Sequence, residues 1–165
     1  MPLITDLVTL DAYLKTVQES IPELKDYQYL DAGDDFEKEL QGYFNQRYKG
    51  PVLFLGMFEA TLMNNQAQYW ENTFQAHLSV QVKAAGEKPA DKLKARNDAW
   101  ALLLKVIGKI RMDYEDSVRV PGQPKYIFRI YEDTLRVTDR VGTITAYGWD
   151  IDFQLGIPVN THLFS

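Results

Sequence analysis

The chain has 165 residues, 45% of them hydrophobic and 25% charged, an ordinary globular balance that argues against a disordered or membrane-spanning protein. It contains no cysteine, which excludes disulfides, thiolate zinc sites and cysteine nucleophiles and makes a reducing cytoplasm the simplest home. The net charge of −5 gives no general attraction to nucleic acid, yet the charge is uneven: from Lys83 to Arg111 eight Lys or Arg stand against three acids, leaving −10 for the remainder.

One domain spanning residues 1–165 is expected at this length, and a domain of this size buries about 70% of the surface its unfolded chain exposes. The opening Met-Pro-Leu-Ile-Thr-Asp lacks the basic-then-apolar pattern of a secretory signal. No run approaches the roughly 18 apolar residues of a membrane span. Ten Tyr and three Trp are more than a small core usually needs. Two readings fit them: a partner surface, where large rigid rings carry contact energy, or strands, which favour aromatics anyway.

In chain order, Leu7, Leu10, Leu14, Val17 and Ile21 predict an amphipathic helix, with Asp6 or Thr9 as N-cap and Pro22 as its stop. Tyr27 to Leu30 reads as a short extended piece. Asp31-Ala-Gly-Asp-Asp then reads as a turn opening a short second helix, on which Phe36, Leu40, Tyr43 and Phe44 form a stripe; Gly42 and Gly50-Pro51 limit it. Val52 to Phe58 has the composition of a buried strand. After a connection at Met63 to Glu71, Phe74, Ala76, Leu78, Val80 and Val82 alternate with polar residues, the pattern of a strand with one wet face.

The longest helix is expected from Ala90 to Met112, with Leu93, Trp100, Leu103, Leu104, Ile107 and Ile110 on its packing stripe and Lys94, Asp98, Lys105 and Lys109 opposite. Beyond Pro121-Gly-Gln-Pro, Tyr126 to Tyr131 reads as a strand and Leu135 to Val141 as a further one. The last strand alternates Trp149, Ile151, Phe153, Leu155 and Ile157 with polar residues and is expected to stop at Pro158. The order α-α-β-β-α-β-β predicts a two-layer α+β domain, a mainly antiparallel sheet packed by amphipathic helices.

Chemistry is sparse. The histidines are His77 and His162, without the spacing of a metal site. Asp150 and Asp152 share one strand face, a spacing suited to a divalent cation or to paired acid and base, and equally to a solvated strand edge that discourages aggregation. The second is the simpler reading. The acids Asp31, Asp34, Asp35, Glu37 and Glu39 lack an EF-hand spacing and suit a helix start. Gly142 to Gly148 matches neither a P-loop nor a dinucleotide motif, and no Gly-x-Ser-x-Gly elbow is present. No catalytic, cofactor or metal residue is therefore assigned. Lys94, Lys105 and Lys109 make a basic helix face without interleaved aromatics, so sequence-specific nucleic-acid binding is not expected. Against an acidic remainder, that face is the candidate surface for another subunit or a partner.

The leading amphipathic helix, the strand pair at Val52–Phe58 and Phe74–Val82, the long helix carrying Trp100 and the closing Gly148-Trp149-Asp-Ile-Asp-Phe-Gln-Leu strand follow one another in a suggestive order. That order resembles the tail-terminator and tail-completion proteins of long-tailed phages and contractile injection systems. The resemblance implies a virion component, assembled in the host cytoplasm as a homo-oligomeric ring, typically a hexamer. Such a ring caps the tail tube and meets tube, sheath or neck proteins, with no cofactor and no membrane. The acidic second helix at Asp34 to Phe44 and the Met63 to Glu71 connection depart from the plain pattern. The alternatives are a ligand-binding or enzymatic domain using Asp150, Asp152 and His77, or a regulator that binds a host partner.

Overall fold

A computed structural model describes residues 7–30, 36–64, 70–119, 127–138 and 145–159. Three helices, α1 (Leu7–Glu19), α2 (Phe36–Gln46) and α3 (Pro89–Arg119), accompany β1 (Asp26–Leu30), β2 (Val52–Asn64), β3 (Trp70–Lys83), β4 (Ile127–Thr138) and β5 (Ala146–Val159). The strands form one sheet in the order β1-β2-β3-β5-β4. Every pairing is antiparallel except β1 with β2. The fold is α+β, as the element order predicts.

The extended piece at Tyr27 is a true strand. It lies parallel to β2, with Asp26 opposite Val52, and α2 makes the crossover that parallel neighbours require. The residues predicted as two strands from Tyr126 to Val141 behave differently. Those that are described form the single strand β4, whose register against β5 slips between Tyr131 and Arg136, so both halves pair with the same neighbour. β5 also continues through Pro158 rather than stopping there. At that point β5 pairs with β3, with Pro158 opposite Glu71.

α1 and α3 cover one face of the sheet. Leu10, Tyr13, Leu14 and Val17 of α1 meet Leu53 and Leu55 of β2, Ala76, Leu78 and Val80 of β3, and Ile151 and Phe153 of β5. Leu7 heads the predicted stripe but is 44% exposed, and Tyr13 takes up the inward position that the apolar count passed over. α3 is longer than predicted, and its inward residues are Ala95, Ala99, Leu102, Leu103, Val106 and Ile110. Leu93 and Leu104, expected on the packing stripe, point outward. The small Ala95 and Ala99 bring the helix close to the sheet and turn the apolar arc away from them.

The opposite face carries only α2 among the described helices, making a small third layer. Leu40, Tyr43 and Phe44 pack there on Leu30, Val52, Phe54 and Ala146. Tyr43 stands edge-on to Phe54 at 5.5 Å, the geometry that aromatic quadrupoles prefer.

Three tyrosine hydroxyls tie neighbouring elements together. Tyr13 donates to Asp113 across α1 and α3 at 3.0 Å, Tyr27 to Asp11 across β1 and α1 at 2.7 Å, and Tyr43 to Asp26 across α2 and β1 at 2.8 Å. Burial first, then the neighbouring carboxylates, raises the pKa of each phenol, so each remains a donor. Much of the aromatic surplus is thus spent inside the fold, and Tyr29 is the one large aromatic strongly exposed among the described side chains.

Candidate functional site

The main concentration of polar chemistry lies on the face that α2 shares. In the β3–β5 register His77 stands directly opposite Asp152, and β4 places Arg136 directly opposite Asp150. The two aspartates are two residues apart on β5, so both project to one side and bracket the imidazole. Nδ1 of His77 lies 2.8 Å from Asp152 Oδ1, and Nε2 lies 3.4 Å from Asp150 Oδ2. Arg136 Nε approaches the same Asp150 Oδ2 at 3.7 Å. The Asp152 backbone N–H donates to Thr134 Oγ1 at 2.9 Å, which anchors the slipped part of β4 beside the cluster.

This corrects the reading of Asp150 and Asp152 as a solvated edge. β5 is an interior strand between β3 and β4, and Asp150 is 7% exposed. His77 lies on the predicted polar face of β3, yet its side chain is only 18% exposed. Desolvation opposes its protonation, but the hydrogen bonds and charges of Asp150 and Asp152 outweigh it, and the pKa of His77 is raised.

Chemically, the arrangement is closed. Each ring nitrogen already faces a carboxylate oxygen, so neither is presented to a substrate, whereas a general base needs one nitrogen within reach of the proton it takes. Among the described residues no three His, Asp or Glu side chains are placed to hold a metal ion. Nothing in the described residues indicates an enzymatic activity. Beside the cluster, Ser79 and Gln81 are buried on the same polar row, and Gln81 Nε2 donates to Ser79 Oγ at 3.2 Å.

The predicted basic face divides in two. Lys105 and Lys109 meet at a shallow groove of about 440 Å³ beside the end of α1, lined by Ile21, Pro22, Gly108 and Met112. Lys94 lies three turns up the helix, at a separate hollow near Val82 and Asp98. Each lysine has an acid within the chain: Lys94 pairs with Asp98, Lys105 with Glu23, and Lys109 with Asp113. The Lys105 hydrogen bond in turn lowers the pKa of Glu23. All three ammonium groups remain at the surface, as the helical phase predicts.

Next to them stand Leu93 and Leu104, which the sequence reading placed on the packing stripe, and Met112, where it ended the helix. Leu93, Leu104 and Met112 are 59%, 48% and 64% exposed along the outer side of α3. The signal was present in the breadth of the apolar arc, which is wider than one packing face needs. The calls on Asp6, Asp31, Asp34, Asp35, Gly142 and His162, and on the Glu37 side chain, lie outside the described residues. Thr9 sits inside α1 and not at its start. Among the described residues no helix is long and apolar enough to cross a membrane. Comparison with models of known protein families and with curated proteins finds no match.

Proposed function

We propose that the chain is a structural assembly protein of a phage tail or related injection machine, a terminator-like subunit that forms a ring on the tail tube and joins it to the neck. The observation that carries an assembly role is the outer side of α3. Three large apolar side chains stay in water there along a 31-residue helix, flanked by Lys94, Lys105 and Lys109. Apolar anchors inside a charged margin are the composition of an interface core and its rim. The tail assignment within that role rests on the order of elements, and the closed His77 cluster fits a scaffold better than a reaction centre.

Light scattering across concentration and salt, with and without the tube protein, followed by negative-stain imaging, tests this. A ring that is lost in Leu93→Asn/Leu104→Asn, with an unchanged melting curve, is the expected result. A protein that stays monomeric throughout and ignores the tube would overturn it.

A second reading, a ligand-binding domain, is favoured by the convergence of His77, Asp150 and Asp152. It requires a ligand that displaces one carboxylate from the ring. Calorimetric titration with divalent cations and a metabolite panel decides it, and silence across the panel removes it.

A further inference from the structure

Asp150 stands between two basic side chains from two different strands, and the chemistry of imidazole fixes how it divides between them. A protonated ring has two N–H donors and satisfies Asp150 and Asp152 together. A neutral ring keeps one proton, so one nitrogen then turns a lone pair toward a carboxylate oxygen. At 2.8 Å against 3.4 Å, the contact to Asp152 is the tighter, and the contact to Asp150 is the one that fails. Arg136 is already 3.7 Å from the same Asp150 oxygen, and its side chain is 59% exposed, with room to close on it.

We propose that His77 is a proton-operated selector that ties Asp150 to β3 when protonated and releases it to Arg136 on β4 when neutral. The inference does not depend on the assembly role proposed above. Among the described residues the groups around the ring are Asp150 and Asp152 from β5, with Arg136 of β4 acting through Asp150. Its own strand supplies the uncharged Gln75 and Ser79, and β2 places Gly56 opposite it. Protonating the ring adds a positive charge between the two carboxylates, and losing that proton leaves Arg136, among the described side chains, as the cation beside Asp150.

β4 is the strand that feels the exchange. It lies at the end of the sheet, and its register slips between Tyr131 and Arg136, beside the group that changes partners. The slipped segment is held by Thr134, by Leu135 against the core and by the ladder from Arg136 to Thr138, so a changed ion pair at Arg136 adjusts how firmly this half of the strand is pinned. The sign follows from the direction of the histidine pKa. Because the folded-state value is raised, the stabilisation is complete below the ordinary histidine range and is lost as pH rises through the raised value.

The experiment is an NMR titration of the intact chain. Its two histidines give separable ring signals, and His162→Gln assigns them. The result expected is a His77 ring with both nitrogens protonated at neutral pH and a midpoint above that of His162, while the Arg136 Nε–H signal shifts at the same midpoint as His77. Asp150→Asn lowers that midpoint by about one pH unit, as loss of an adjacent opposite charge should, and Arg136→Gln raises it. A His77 ring that is neutral at pH 7, a midpoint untouched by Asp150→Asn, or an Arg136 signal that ignores the titration would each overturn the selector. The wild-type titration needs no variant at His77 to fold.

Discussion

The two faces of the sheet are built on opposite principles. Against α1 and α3 the contacts are apolar, and the fit rests on shape, with Leu14, Leu53, Ala76, Val80, Leu103 and Val106 essentially removed from water. The other face has one short apolar patch under α2 and then a polar row through Ser79, Gln81, His77, Asp150 and Asp152, held by charge and hydrogen bonds. The first kind of face tolerates pH and salt and fails on loss of volume. The second responds to protons. One sheet thus carries a stable frame on one side and a responsive polar surface on the other.

The largest effect should come from removing volume on the first face. Leu103→Ala leaves a cavity in close-packed surroundings and is expected to cost about 2–5 kcal/mol in chemical denaturation. Leu104→Ala, one residue on but turned outward, should stay within about 0.5 kcal/mol. Equal losses at the two positions would mean that the outer side of α3 is already covered in the isolated chain.

Gly148 sharpens the comparison from the strand that both faces share. A Cβ there would stand 2.2 Å from the Val80 carbonyl oxygen and 2.9 Å from Gln81 Cγ. The nearest of these is backbone, so β3 and β5 must part to admit a methyl group. Gly148→Ala is expected to cost about 1–3 kcal/mol, read as a lower denaturation midpoint. A neutral result would show that the two strands are less closely joined at this point than their register implies.

How much of this was legible follows from period and pairing. The alternation through Ala76–Val82 and Trp149–Phe153 marks two half-buried strands because side chains change face at each residue, and it places His77, Asp150 and Asp152 on polar faces. It does not state which strands are neighbours. That His77 meets Asp152 across a ladder, and that Arg136 meets Asp150 from the other side, are facts of register between segments far apart in sequence. β1 was legible only as an extended piece, since its parallel partner is chosen by the α2 crossover and not by local composition. On α3 the apolar arc was visible, but its inward centre was set by where Ala95 and Ala99 allow the sheet to approach.

Smaller effects separate the tyrosine ties. Tyr43→Phe removes the donor to Asp26 while keeping the ring against Phe44 and Phe54, and Asp26 still accepts from the Tyr27 N–H and the Gln28 amide. The expected loss is about 1 kcal/mol, the usual net worth of one hydrogen bond. Thermal unfolding of Tyr43→Phe beside Tyr13→Phe measures whether the α2 layer is fastened as firmly as α1, and a loss several times larger would mean that Asp26 depends on Tyr43 alone.

The smallest effect belongs to the surface lysines, and it is informative because it is small. Lys94 is 75% exposed and its pairing with Asp98 is an i,i+4 contact in water, where such pairs contribute about 0.3–0.5 kcal/mol and less as salt rises. Lys94→Ala should therefore leave the melting curve almost unchanged at physiological salt, with Asp98 simply rehydrated. Any change in oligomer mass or partner binding for this variant then reports on an interface, since stability is not in play. A drop in stability well beyond that range would mean that Lys94 supports the fold itself, and the basic margin of α3 would lose its standing as a surface reserved for assembly.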